Sequence, residues 1–144
     1  MKLSEVQSIV DLGTWLQGMG ITASEHPDFG GVHDVHTKGS LHYGGADDVA
    51  DMKRRGLEGR ALDVNDSDPM DDKFRKDFPT EKEGLTFIYF RLLHAAARFD
   101  WPLDEMFFNG FGYIKERGKP DEAPNHPITG HDTHLHIGVT EATF

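Results

Sequence analysis

Hydrophobic positions recur with a helical period in two stretches of the chain. The first predicts a helix over residues 5–18, where Val6, Ile9 and Leu16 fall on one face. The second predicts the best-defined helix, over residues 81–98, and it begins with a Thr-Glu-Lys-Glu capping box. Its apolar face is formed by Leu85, Ile88, Tyr89, Leu92, Ala96 and Phe99. We expect this second helix to pack at the centre of the core.

Shorter patterns predict one more helix and three strands. Residues 46–55 begin with acidic and end with basic side chains, and glycine follows, which is the order that a helix dipole and a C-cap favour. The residues at 59–64, 106–113 and 133–140 are typical of strands, because they are apolar or aromatic or alternate with polar positions.

Loop-forming residues dominate three remaining stretches. These are residues 24–45, with a short strand expected at Val32–Val35, and residues 63–72 and 115–132. The resulting order of elements predicts an α+β fold with a small antiparallel sheet flanked by helices. No linker interrupts the sequence, so we expect one domain over residues 1–144.

Composition narrows the classes of function. The chain has 25 acidic and 15 basic residues, and a formal charge of −10 makes a nucleic-acid partner unfavourable. It has no cysteine, so a metal ion would be held by histidine, aspartate or glutamate. No apolar run approaches the ~20 residues that cross a bilayer, and the N-terminal residues lack the pattern of a secretory signal. We therefore expect no membrane insertion.

Three short segments carry the candidate chemistry. They are Ser40-Leu41-His42, Gly59-Arg60-Ala61-Leu62-Asp63-Val64 and His134-Leu135-His136. Two imidazoles and one carboxylate form a three-ligand zinc site with an open fourth position, which is typical of catalytic zinc. Each segment alone has a simpler interpretation. His42 can be a solvated loop histidine, Asp63 can be an aspartate that ends a strand, and His134 and His136 can form a polar strand face.

Together the segments resemble the pattern of the family that joins lysostaphin-type endopeptidases, D-Ala-D-Ala carboxypeptidases and the hedgehog fold. The D-Ala-D-Ala branch has Ser-x-His-x-x-Gly-x-Ala-x-Asp, with His-x-His or an acidic variant farther on. The chain supplies, in that order, Ser40, His42, Gly59, Ala61, Asp63, His134 and His136. Residues 130–139 also look like the closing strand of such domains in actinobacterial and actinobacteriophage wall enzymes. The resemblance runs over about residues 40–139.

The resemblance implies a zinc metallopeptidase that hydrolyses an amide bond in the peptide part of bacterial peptidoglycan. One Zn²⁺ per chain would be held by His42, Asp63 and His136. His134 would act as the general base or stabilise the oxyanion, with Asp132 as the alternative base. An imidazole suits the first role, because its ordinary pKa lies near neutrality.

The position of the aspartate departs from the family pattern. Asp63 lies much farther from His42 than the pattern allows, because the helix expected at 46–55 stands between them. Asp47 and Asp48 are nearer alternatives. Asp63 is favoured because Gly-Arg-Ala-Leu-Asp-Val matches the second half of the pattern, and a surface insertion costs little free energy.

Other polar residues near these segments are candidates for substrate binding. Ser40 can hydrogen-bond substrate or a metal ligand, and Lys38 and Arg60 can hold a substrate carboxylate. For Arg60 a structural ion pair is an equal alternative. His131, on the loop before the last strand, can line the cleft.

The expected biological setting is a bacteriophage endolysin or its peptidase module. We expect a monomer that is made in the host cytoplasm and reaches the wall through a partner that opens the membrane. Two other functions fit the same residues. One is a hedgehog-like zinc-binding module without catalysis. The other is a metal-dependent phosphodiesterase, which the charge of −10 disfavours.

Overall fold

The computed structural model describes residues 1–29, 41–43, 46, 49–64, 76–78, 80–108, 111–114 and 134–144. Within these residues, five antiparallel strands form one sheet in the order β1-β2-β5-β3-β4. The strands are β1 (Ala23–Ser24), β2 (Ala61–Val64), β3 (Leu103–Phe108), β4 (Phe111–Ile114) and β5 (Leu135–Val139). The helices of this part of the chain are α1 (Ile9–Gly18), α2 (Val49–Arg55) and α3 (Glu81–Phe99), and a short 3-10 turn covers Leu3–Glu5. The predicted α+β class is confirmed.

Helix α3 follows its sequence signals closely. The Thr80 hydroxyl oxygen accepts a hydrogen bond from the Glu83 backbone N–H at 3.2 Å, as an N-cap does. The helix ends at Phe99, because the left-handed φ of 55° at the C-cap Asp100 breaks the helical path. It buries Leu85, Ile88 and Leu92 in the core. The predicted span of residues 81–98 is therefore confirmed to within one residue.

Helix α1 begins later than predicted. Its N-cap is Ser8, whose hydroxyl oxygen accepts from the Asp11 N–H at 3.0 Å. Residues Leu3–Glu5 form a separate 3-10 turn, so the start expected at residue 5 is wrong. A hydroxyl placed to accept from the first turn fixes where a helix begins, and here Ser8 has that place.

The strands also differ from the sequence pattern in two places. The single strand predicted over residues 106–113 is a hairpin, in which Phe108 and Phe111 are partners and Asn109-Gly110 lies between them. Asn-Gly is the dipeptide most typical of a two-residue hairpin turn. Strand β1, within a stretch predicted as loop, pairs with β2. The strand expected at 32–35 and the loop expected at 115–132 lie outside the described residues.

The two faces of the sheet have different roles. One face joins α1 and α3 in the main apolar core, to which the sheet contributes Leu62, Val64, Met106, Phe108, Leu135, Ile137 and Val139. Because side chains alternate along a strand, the other face carries Asp63, Glu105, Phe107 and His136. That second face is where the predicted chemistry lies.

No helix in the described part of the chain has the length and apolar character needed to cross a membrane.

Candidate metal centre

Asp63 and His136 form the centre of the polar face. They are direct partners in the pairing of β2 with β5, and both side chains are buried. Asp63 Oδ1 lies 2.9 Å from His136 Nδ1. Two adjacent strands thus place a carboxylate and an imidazole in contact inside the protein.

His42 approaches the same carboxylate from the turn at residues 41–43. Its Nδ1 is 2.7 Å from the backbone carbonyl oxygen of Glu25, and its Nε2 is 3.4 Å from Asp63 Oδ1. A carbonyl oxygen only accepts hydrogen bonds, so the His42 proton lies on Nδ1 when the ring is neutral. The lone pair of Nε2 then faces Asp63, which is the orientation that a metal ligand requires.

Backbone contacts hold the His42 turn in place. The Arg60 N–H donates to the Leu41 carbonyl at 2.9 Å, which ties the turn to the start of β2. On the other side of His42, the buried side chains of Tyr43, Ala46 and Met52 form a small separate apolar cluster. The turn is therefore fixed both to the sheet and to α2.

The three predicted ligands come together. One ligand atom each from His42, Asp63 and His136 lies within 4.8 Å of the others, and all three residues are buried. Two imidazole nitrogens and a carboxylate oxygen suit Zn²⁺ and other first-row transition metals. The cluster can therefore hold one metal ion. The alternatives Asp47 and Asp48 lie outside the described residues.

His134 lies on the opposite edge of the Asp63 carboxylate. Its Nε2 is 3.7 Å from Asp63 Oδ2, whereas His42 and His136 approach Oδ1. Its side chain is 14% exposed, against 8% for that of His136. The two histidines of the His-x-His segment thus flank one carboxylate, and the more accessible one is outside the candidate ligand set.

Glu105 is a site residue that the sequence analysis missed. Its Oε1 lies 2.8 Å from His136 Nε2, so the imidazole of His136 bridges two carboxylates. The ring of Phe107 stacks on the same imidazole, with centroids 5.4 Å apart and planes 13° apart. A signal was present: an acidic residue next to the apolar run Met106-Phe107-Phe108 is unusual, but the predicted strand began one residue too late to include it.

His26 is another buried histidine that the sequence analysis did not single out. Its Nε2 lies 3.2 Å from the Gly59 carbonyl oxygen, and its Nδ1 accepts from the Asp28 N–H. Burial lowers its pKa below the ordinary value, although the hydrogen bond to Gly59 opposes that effect. His26 therefore supports the backbone beside Glu25 and the start of β2.

The charged forms of Asp63 and His136 stabilise each other. Burial alone raises the pKa of the Asp63 carboxyl, but the hydrogen bond from His136 and the close approach of His42 overcome this effect and hold the pKa well below its usual range. Burial likewise lowers the pKa of His136, yet its hydrogen bonds to Asp63 and Glu105 raise it to about 9. Without metal, His136 is therefore an imidazolium between two carboxylates at neutral pH.

The remaining predicted residues are less fully described. The Arg60 guanidinium donates to the Thr140 carbonyl oxygen at 2.8 Å, a structural contact with the backbone just after β5. Its predicted contact with substrate stays a prediction. The other candidates, Ser40, Lys38, His131 and Asp132, lie outside the described residues.

The comparisons with known proteins add no relative. A scan against protein-family models, a search of curated proteins and a search of solved structures each found no match.

Proposed function

We propose that this chain is a zinc-dependent peptidase that hydrolyses an amide bond in the peptide part of bacterial peptidoglycan. The observation that carries the proposal is the buried cluster of His42, Asp63 and His136, with His134 against the other oxygen of the Asp63 carboxylate. A metal-binding cluster and an adjacent, more accessible imidazole are the two parts that metal-assisted hydrolysis requires.

In the proposed site, His42, Asp63 and His136 would hold the metal. Zinc in such a site polarises a carbonyl group and lowers the pKa of water to about 7. The chain's own contribution is proton transfer. His134 Nε2 accepts the proton of the attacking water and returns it to the amine that leaves. His134 carries this role because it is outside the ligand set and more accessible than its neighbour.

The substrate class rests on the sequence pattern. The segments around His42, Asp63 and His136 follow the order found in wall peptidases of the D-Ala-D-Ala branch. A bacteriophage endolysin that acts as a monomer, after release through a membrane-opening partner, is the corresponding setting. A formal charge of −10 works against a phosphodiesterase, since polyanionic substrates need a basic approach surface.

The proposal is tested by metal content and wall clearing measured together. Wild type, His136→Ala and His94→Ala are purified, loaded with Zn²⁺, and assayed for bound metal and for the turbidity of purified bacterial walls. His94 is an exposed histidine on α3, so its variant controls for the loss of an imidazole outside the site. We expect about one zinc per chain and wall clearing for wild type and His94→Ala, and neither for His136→Ala.

Each other result selects a different function. Zinc without clearing, on walls of several peptide chemistries, favours a zinc-binding module that does not catalyse. Release of phosphate monoesters from a phosphodiester substrate favours the phosphodiesterase. Absence of zinc from the wild type contradicts the metallopeptidase. Mass spectrometry of the peptides released from walls then identifies the bond that is cut.

A further inference from the structure

Glu105 makes a contact that the proposed reaction does not use. Its Oε1 is 2.8 Å from Nε2 of His136, while Nδ1 of the same ring is 2.9 Å from Asp63 Oδ1. The two nitrogens of an imidazole point away from each other, so Glu105 lies on the far side of the ring from Asp63. It is therefore outside the cluster of His42, Asp63 and His136 that can hold the metal.

The sheet provides the space for this contact. Glu105 pairs with Gly138 across β3 and β5, two residues along from His136. A Cβ atom at Gly138 would lie 2.8 Å from Glu105 Cγ and 3.1 Å from its Oε1. Only glycine leaves room for the carboxylate at this position. The contact of Glu105 with His136 thus depends on the absence of a side chain at Gly138 of β5.

The orientation of the His136 ring is fixed from a second direction. Phe107 lies almost parallel to it, with an angle of 13° between the two planes. Gly112, the partner of Phe107 on β4, has no side chain to displace the aromatic ring. The imidazole is therefore held flat against Phe107, while its two edges face Asp63 and Glu105.

We propose that Glu105 is a positioning residue of the metal centre, which accepts the Nε2–H of His136 and thereby presents Nδ1 to the metal. This inference rests on the proposed metal-binding function of the cluster. Without metal, both ring nitrogens face carboxylates that can only accept. A metal held by Asp63 would take the place of the Nδ1 proton, and Glu105 would then keep the remaining proton on Nε2 and leave the Nδ1 lone pair to the metal. Hydrogen-bond partners of this kind orient ligating histidines, and their loss typically lowers metal affinity by about 10–100-fold.

The test measures zinc affinity by chelator competition in wild type, Glu105→Ala and Glu105→Gln. Glutamine keeps an acceptor oxygen but removes the charge. We expect an affinity about 10–100-fold lower for Glu105→Ala and substantial recovery for Glu105→Gln. Glu141→Ala, which removes an exposed carboxylate just after β5, is the matched control and should bind zinc like wild type. Circular dichroism checks that each variant is folded.

If Glu105→Ala does not fold, a second measurement on the wild type tests the same inference. In the zinc-loaded wild type, ¹⁵N NMR of the histidine rings should locate the zinc on Nδ1 and the proton on Nε2 of His136. Zinc on Nε2 overturns the inference, and so does wild-type zinc affinity in a folded Glu105→Ala. Either result leaves the metal site intact. A wild type that binds no zinc overturns the proposed function, and this inference with it.

Discussion

Asp63 and His136 lie 73 positions apart in the chain, yet Asp63 Oδ1 is 2.9 Å from His136 Nδ1. Their contact follows from the register of β2 and β5, in which they are direct partners. Strands hold side chains more precisely than loops do, so the spacing of this pair is set by the sheet itself. His42, by contrast, reaches the pair from a turn and depends on the Glu25 carbonyl for its orientation.

Replacing Asp63 should remove metal binding. In Asp63→Asn the only carboxylate of the cluster becomes neutral, and the His136 imidazole loses one of its two anionic partners. We expect zinc affinity to fall by more than the roughly 100-fold loss that follows removal of a ligand's hydrogen-bond partner. Chelator competition measures this. Asp100→Asn, at an exposed residue with left-handed backbone that asparagine also adopts, should bind zinc normally. Equal affinity in the two variants would contradict the assignment of Asp63.

The stability of the metal-free protein should depend on pH through the same pair. The pKa of folded His136 is about 9, above its ordinary 6.5, so its contribution is complete below pH 6.5 and is lost as the pH rises through 9. The pKa of folded Asp63 is depressed, so its contribution is present above pH 3.8 and is lost as the pH falls further. Urea unfolding in EDTA should therefore give a lower free energy of unfolding at pH 9.5 than at pH 6.

The variant Asp63→Asn provides the control for this pH dependence. Without the Asp63 carboxylate, the pKa of His136 is raised less, so the loss of stability between pH 6 and pH 9.5 should be smaller than in wild type. A wild-type free energy of unfolding that stays level or rises over this range would show that His136 is not held as an imidazolium in the folded, metal-free protein.

Local sequence signals predicted the elements that local interactions determine. The predicted bounds of helix α3 are correct to within one residue, because both its apolar period and its Thr80 cap are local features of the sequence. The strand predicted at 133–140 is confirmed as β5, in which Leu135 and Ile137 lie in the core and His136 lies on the other face. Asn109-Gly110 is a hairpin signal, but the aromatic pattern over residues 106–113 predicts one strand where β3 and β4 pair as a hairpin.

Long-range pairing is what the sequence did not reveal. Strand β1 has two residues, too few for a period, and it is a strand only because β2 lies beside it. The role of Glu105 depends on β3 pairing with β5, and the register of that pair shifts between Leu103 and Glu105. The orientation of His42 depends on a carbonyl 17 positions earlier in the chain. Such contacts cannot be predicted from the residue pattern of a single segment of the sequence.

Gly138→Ala should destabilise the protein and weaken its zinc site. The added Cβ would crowd Leu41 and the side chain of Glu105, which then moves away from His136. Overpacking of this kind typically costs about 1–3 kcal/mol. Urea unfolding in EDTA measures the cost, and chelator competition measures zinc affinity. Gly18→Ala is the matched control, because a Cβ there meets nothing within 4 Å and alanine favours the helix. Wild-type behaviour of Gly138→Ala would show that Glu105 does not need this space.

His134→Gln should separate catalysis from metal binding. His134 faces Oδ2 of Asp63 at 3.7 Å and is outside the cluster of ligands, so the variant should keep about one zinc per chain. Glutamine cannot take up a proton at neutral pH, and loss of a general base typically slows a reaction by about 10²–10⁴-fold. The rate of wall clearing at matched zinc loading measures the effect, with His94→Gln as the control on an exposed histidine. Loss of zinc together with activity would identify His134 as a ligand, whereas unchanged clearing would assign the proton transfer to another group.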